Sequence, residues 1–453
     1  MTSHHIIALG LADAMLAGEP DAESARQRCV QLLGSRSKWI AQLVREIVGR
    51  FSEDWRDTWR HDMAKAITES PTFNSVRQRT TFRLRNIPLT PPRMAPMPVA
   101  LSGCVVPNLP TPLDVARWLN LSMDELIWLT GPLGYVARND LRTKHYHYRW
   151  IAKRTGGVRL LEIPQAHLCA LQRRILHQLL EYVPLHEAAH GFRKRHSCVT
   201  NARPHLGQAV VIRMDLADFF GSIGGGKVYR VFTTLGYPAA VAQALTRLTT
   251  HATAAKILTD GEMGNIESAS RVLGWREKKR LATPHLPQGA PTSPVLANLC
   301  AFNFDVRVQA LADEFGATYT RYADDLTFSG GEAFGRRARA FESYVAAIAL
   351  EEGFSVNHRK THVMSAGSRQ RVTGIVVNRK TNIPREHYDR LKAMLHNCLR
   401  HGPNKQTAMG VSVFKNHLAG HIAQVAAIHP TRGARLKRMY DQVRWNDEIA
   451  ISE

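Results

Sequence analysis

Asp324 and Asp325 stand side by side in Tyr322-Ala323-Asp324-Asp325, between two runs that read as strands. Ala317-Thr318-Tyr319-Thr320-Arg321 precedes them and Leu326-Thr327-Phe328-Ser329-Gly330 follows, β-branched and aromatic residues in the order of a hairpin. Neighbouring side chains on a strand point to opposite faces, so two adjacent aspartates reach one site only from a tight turn. Like charges held close are costly unless a cation sits between them. A hard divalent ion such as Mg²⁺, held by one or two carboxylates and by phosphate oxygens, supplies that charge. Taken alone, the tetrapeptide is better read as a solvated turn.

A second acidic centre changes that reading. Val210-Val211-Ile212-Arg213-Met214-Asp215 is a short apolar run ending in a carboxylate, a rigid way to present a metal ligand. Leu216-Ala217-Asp218-Phe219-Phe220 follows, with Asp218 placed to cap the next helix and Phe219 suited to the core. Between the two centres lies Leu286-Pro287-Gln288-Gly289-Ala290-Pro291-Thr292-Ser293-Pro294. Gly289 permits close backbone approach, while Ser293-Pro294 reads as an N-cap and first helical residue facing a ligand.

The elements that must position these groups are legible in outline. Residues 1–86 read as helices, with Trp39, Leu43, Ile47 and Phe51 at helical spacing. A stretch containing Pro88, Pro91, Pro92, Pro96, Pro98, Pro107 and Pro110 reads as a semi-rigid connector rather than a packed element. Thr111-Pro112 and Ser122 with Glu125 are helix starts. Tyr146 to Pro164 reads as a hairpin with Lys153, Arg154 and Arg159 about its tip, followed by a helix over about 165–183. Strands and helices then alternate to about 378, and helices return with Leu436, Met439, Tyr440 and Val443 as an apolar stripe. An α+β class is expected.

Composition agrees with a polyanion-binding protein. Sixty Lys and Arg against 38 Asp and Glu leave a net charge of +22 over 453 residues, which favours nucleic acid. Such a length has room for roughly three domains. The six cysteines show no zinc spacing and read as reduced thiols, mostly core filler. No apolar run of about 18 residues and no signal-like N-terminus is present, so a soluble, cytoplasmic protein with no membrane partner is expected.

Together the motifs resemble those of reverse transcriptases. The Asp215 strand is similar to polymerase motif A, Gln288-Gly289 through Ser293-Pro294 to motif B, and Tyr322-Ala323-Asp324-Asp325 to motif C. Gly353-Phe354-Ser355-Val356-Asn357 through Lys360-Thr361 looks like motif D. Asn201-Ala202-Arg203-Pro204-His205 and Val372-Thr373-Gly374 are similar to two short elements of retron reverse transcriptases.

The resemblance, which covers about residues 110–450, implies a right-hand polymerase fold. Its parts would be a helical N-terminal extension and linker over 1–105, fingers and palm over 106–380, and a small basic helical thumb over 381–453. Packing on the fingers is the plainest role for the extension. Asp215, Asp324 and Asp325 would be catalytic and would hold two Mg²⁺ ions. Phe220 would lie under the incoming sugar, Lys153 and Arg159 would meet the triphosphate, Gln288 and Gly289 the templating pair, and Lys360 the leaving pyrophosphate. Arg435, Lys437 and Arg438, with Asn201 and His205, would contact RNA. The implied partners are deoxynucleotides, a structured non-coding RNA primed from a guanosine 2′-hydroxyl, the branched single-stranded DNA made on it, and an effector protein in defence against phage. The alternatives are a free-standing group II-like enzyme using a 3′ primer and an idle RNA-binding scaffold.

Overall fold

The computed structural model describes residues 3–17, 21–51, 55, 58, 60–78, 82, 84, 93–131, 145–152, 157–259, 273–406 and 410–445. Pro88, Pro91 and Pro92, and the hairpin tip with Lys153 and Arg154, lie outside these residues.

Five helices lead the chain: α1 (Ser3–Leu16), α2 (Ala22–Leu33), α3 (Lys38–Phe51), α4 (Arg60–Glu69) and α5 (Pro71–Arg77). The sequence of α1 is apolar round most of its circumference, and the helix buries Ile7, Leu11 and Met15 among its neighbours. On α3 the buried residues are Ile40, Leu43, Val44 and Ile47, while Trp39 and Phe51 line the margin. Capping sharpens the ends: the Asp21 carboxylate accepts from the Ser24 N–H, and Gly34 closes α2 at φ 63°. Among the described residues this core is made of side chains from residues 7–82.

Residues 93–110 depart from the expected connector. Ala95 N–H donates to Gly236 O at 2.7 Å, Tyr237 Oη donates to Pro107 O at 2.9 Å, and Leu109 is buried. Proline limits secondary structure, but the segment is anchored at Ala95, Pro107 and Leu109, while Val99 and Val105 between them stay exposed.

The chain divides into two compact units, one of residues 1–184 and 223–296, the other of 185–222 and 297–453. In the first, α6 (Pro112–Leu119) and α7 (Met123–Thr130) each begin with a capping box, Thr111 with Asp114 and Ser122 with Glu125. Strands β1 (Tyr146–Ala152) and β2 (Val158–Pro164) form the hairpin, paired from Tyr146↔Pro164 to Ala152↔Val158. Along β2 the residues facing inward are Val158, Leu160, Glu162 and Pro164. A helix over Ala166–Gln178 follows, then a short turn at Leu180–Tyr182.

The second unit is built on an antiparallel sheet in the order β4 (Thr318–Tyr322), β5 (Asp325–Gly330), β3 (Val210–Asp215), β6 (His362–Ser365). Aromatic side chains fill one side: Phe341 lies 4.8 Å from Phe328 and 5.1 Å from Phe334, ring centre to ring centre. A second core joins Val199, Ala202 and Val211 to the hairpin β7 (Arg371–Val372) and β8 (Ile375–Val376), and to helices over Arg385–His401, Val411–Ile428 and Pro430–Gln442. Leu436 and Val443 are buried there, with Met439 and Tyr440 packed alongside, as their spacing predicts. All six cysteines are free thiols, but only Cys29 and Cys398 are fully buried, so most are not core filler.

Candidate active site

Asp215 ends β3 and faces Asp325, the first residue of β5, in register. The hairpin turn joining β4 to β5 is Ala323-Asp324. Two-residue turns need positive φ, and Ala323 takes φ 59°. Leu216 N–H donates to Asp324 O at 2.9 Å and Asn357 N–H to Asp215 O at 2.7 Å, which ties the strand end to the turn and to the motif D segment. The three aspartates thus share one end of one sheet.

A buried cation props this turn from behind. Arg321, wholly inaccessible, makes a bidentate pair with Asp305 through Nε at 2.8 Å and Nη2 at 2.6 Å. Its Nη1 donates to Asn298 Oδ1 at 2.9 Å and to Ala323 O at 3.0 Å. Burial works against the charge, but the Asp305 carboxylate outweighs it and raises the Arg321 pKa. On the other side Gly191 admits no side chain, since a Cβ there would come within 2.5 Å of Ala323 N. The Gly191 carbonyl accepts from Asn298 Nδ2 at 2.8 Å. Positive φ at a non-glycine residue is therefore held by contacts on both faces.

Two further cations engage the carboxylates. Lys360 Nζ lies 2.9 and 3.0 Å from the oxygens of Asp215. Arg213 donates to Asp325 through Nε at 3.2 Å and Nη2 at 2.5 Å. Burial first, then Asp215, pushes the Asp324 carboxyl above the usual range. Burial likewise raises Asp325, against the opposing pull of Arg213. Among the described residues no three ligating side chains converge closely enough to hold an ion as they stand. The donor set is nevertheless all oxygen and net anionic, with Asp324 destabilised as a bare charge, which fits a hard divalent cation.

The remaining expectations meet mixed outcomes. Phe219 is buried beneath the Arg321 guanidinium, 5.6 Å from its ring centre, while Phe220 is only half-buried. Asp218 takes φ 48° ahead of a single helical turn at Phe219–Ser222. Gln288 is half-buried and its carbonyl accepts from Glu162 N–H at 2.9 Å. Gly289 takes φ 136°, where a Cβ would meet Glu162 O at 2.9 Å. Ser293 is the first residue of its helix rather than the cap, and its hydroxyl donates to Pro287 O at 2.7 Å. Arg159 is exposed on β2, and Lys153 lies outside the described residues. Arg435, Lys437 and Arg438 are exposed on the last helix, Lys437 paired with Asp441.

Asn201 and His205 are corrections. Both are fully buried, so neither side chain meets RNA directly. His205 bridges the sheet, Nδ1 2.7 Å from Ser329 Oγ and Nε2 2.7 Å from Thr320 Oγ1. Burial drives its pKa down to about 3, so it is a neutral strut. Thr373 and Gly374 form the tight turn of the β7–β8 hairpin, and Thr373 Oγ1 donates to Cys198 O at 3.1 Å across 175 residues. The two short signatures thus meet in one core. Sequence reasoning missed Arg213, Arg321, Asp305 and Gly191; Arg213, a cation within the otherwise apolar run Val210–Met214, was the one available signal.

Residues 151–398 match the family model described as reverse transcriptase (RNA-dependent DNA polymerase). The chain is 37% identical over 359 residues to the retron Mx65 reverse transcriptase of Myxococcus xanthus, covering 79% of this chain and 77% of that one. It is 34% identical to the retron Mx162 reverse transcriptase of the same organism, over 70% of this chain and 64% of that one. To the retron Ec86 reverse transcriptase of Escherichia coli it is 30% identical over 72% and 84%. A Candida albicans telomerase structure matches with a TM-score of 0.32 at 8% identity, over 64% of this chain and 54% of that one, a likeness too slight to bear on function. No helix among the described residues is long and apolar enough to cross a membrane. With an acidic turn, its partner strand and both retron elements in one fold, the chain belongs to the retron reverse transcriptases, RNA-directed DNA polymerases that act on an RNA template.

Proposed function

We propose that this enzyme copies part of a structured non-coding RNA from its own locus into single-stranded DNA that stays joined to RNA. The primer is a guanosine 2′-hydroxyl, and the product acts with an effector protein in defence against phage. The observation that carries the retron-specific part is the single core shared by the Asn201–His205 and Val372–Gly374 elements behind the catalytic sheet. The division into an extension over 1–105, fingers and palm over 106–380 and a thumb over 381–453 belongs to the same reading.

In the mechanism, Asp215 and Asp324, with Asp325 beside them, would hold two Mg²⁺ ions, which would supply activation of the attacking hydroxyl and charge neutralisation at the triphosphate. The chain's own residues position and neutralise. Lys360, which neutralises Asp215 in this arrangement, is within reach to donate to the leaving pyrophosphate. Arg213 fixes the Asp325 carboxylate against the strand, so Asp325 orients more than it ligates. Phe220, half-buried with its ring 5.7 Å from that of the core residue Phe219, is the residue assigned here to bar a 2′-hydroxyl. Arg159 and Lys153 meet the triphosphate, Gln288 and Gly289 the templating pair, and the exposed Arg435 and Arg438 the RNA.

Purifying the protein from its host and analysing the bound nucleic acid tests this reading. A DNase-sensitive species that shortens after RNase, survives denaturation and yields to a 2′,5′-debranching enzyme is expected. Its loss in Asp324→Ala with Asp325→Ala is expected too. RNA alone, or a product with only a 3′,5′ junction, sinks the retron reading in favour of the 3′-primed one.

A further inference from the structure

Glu162 breaks the pattern of its strand. The inward positions of β2 are otherwise Val158, Leu160 and Pro164, yet the Glu162 side chain is buried with only 1% exposure. Burying a carboxylate in an apolar position is expensive unless it is paired and fully hydrogen-bonded. Here it is both. Thr253 Oγ1 donates to one carboxylate oxygen, and His285 Nε2 lies 2.8 Å from the other. The second ring nitrogen of His285, Nδ1, lies 2.8 Å from Thr283 O. A carbonyl and a carboxylate are both acceptors only, so His285 satisfies both as a donor only when doubly protonated.

The pair sits on the motif B loop. His285 exchanges both backbone hydrogen bonds with His251 at 2.9 Å, and three residues on, Gln288 O accepts from the Glu162 N–H at 2.9 Å. Gly289 then passes Glu162 O too closely for a side chain. One residue of β2 thus grips the loop twice, by its side chain at His285 and by its backbone at Gln288.

We propose that Glu162 and His285 form a charged clasp that seats the Gln288-Gly289 loop on β2, making them positioning residues for the incoming nucleotide. The inference rests on the reading of Gln288 and Gly289 as contacts to the templating pair. Burial opposes the His285 cation, but Glu162 outweighs it and the net pKa is raised. Burial also opposes the Glu162 anion, and His285 outweighs that in turn, so its pKa is lowered. Among the described residues, the other titratable groups that bear on the pair are His251, whose pKa burial lowers to about 4, and Tyr146 and Tyr148, whose pKa values burial raises. All three are neutral near pH 7, which leaves His285 the group that titrates as pH rises above neutrality. The clasp is therefore closed below the ordinary histidine value and opens as pH climbs through the raised His285 value.

Steady-state dTTP incorporation on poly(rA)·oligo(dT) by the full chain tests the clasp. Glu162→Gln keeps the shape and removes the charge. It is expected to raise the KM for dTTP by between about tenfold and a hundredfold, the scale set by small displacements of a positioned group, with kcat little changed. In the wild type KM should rise with pH above neutrality, and in Glu162→Gln that dependence should vanish, with Glu162→Asp intermediate. An unchanged KM in a folded Glu162→Gln, or identical pH profiles for the two proteins, overturns the proposal. Should Glu162→Gln fail to fold, the wild-type profile decides: a KM that stays flat as pH rises from the ordinary histidine value to the limit of the fold's stability overturns the clasp. Gln288→Ala separates the two readings, because it leaves the clasp intact. If it does not move KM, the assignment of the loop fails; if it does and Glu162→Gln does not, only the clasp fails.

Discussion

Arg321–Asp305 and Glu162–His285 are both buried ion pairs lying against loops of the polymerase machinery, yet they are built for different conditions. The first uses a guanidinium, charged at every accessible pH, with a planar fork that grips a carboxylate, an amide and the Ala323 carbonyl together. The second uses an imidazole, whose charge depends on its partner and on pH. The turn bearing Asp324 is thereby held by a contact indifferent to proton activity. The loop bearing Gln288 is held by one that is not. The turn proposed to carry the catalytic carboxylate is the one backed by the permanent charge.

The largest effect belongs to the permanent pair. Arg321→Met leaves the Asp305 anion buried without a counter-charge, and removing one partner of a buried pair costs about 3–5 kcal/mol. Urea denaturation should show that loss. Adding Asp305→Leu should restore part of the stability, because the unpaired buried charge is removed while Tyr319 Oη, Asn298 Oδ1 and Ala323 O stay without their partner. It should not restore DNA synthesis, since Ala323 O still lacks its donor. Recovery of both would reduce Arg321 to a packing residue and erase the contrast between the pairs.

A smaller effect separates the pairs by pH. The His285 pKa is raised in the folded state, so its contribution is complete below the ordinary histidine value and is lost as pH rises through the folded one. The melting temperature of the wild type should therefore decline as pH rises above the ordinary histidine value. Glu162→Gln should melt lower at pH 7 but with a flatter profile. Parallel profiles would mean that His285 is not the titrating group.

The sequence was most legible where chemistry demands a residue type outright. The acidic turn, the carboxylate at the end of β3 and the helix starts at Thr111 and Ser122 all follow from local rules, and the structure has them in place. The placement of Asn201 and His205 was not legible. A polar residue in a short signature reads as a contact to ligand, and nothing in its neighbours along the chain reveals that Ser329 and Thr320 will enclose it. The same blindness hid Arg321 and Glu162. Each lies at an inward position of a strand, and its partner is distant in sequence, Asp305 across a helix end and His285 across most of a unit. The anchoring of residues 93–110 at Ala95, Pro107 and Leu109 was missed for a related reason, because proline content predicts what a segment cannot form but not what it rests on.

The central claim is that Asp215 and Asp324 carry the chemistry while Asp325, bound to Arg213, chiefly orients it. Primer extension on an RNA template with purified Asp215→Asn, Asp324→Asn and Asp325→Asn proteins tests this directly. The first two should lose synthesis by at least about a hundredfold, with folding intact by circular dichroism, and Asp325→Asn should retain a clearly larger rate than either. Synthesis by Asp324→Asn at the wild-type rate would contradict the account.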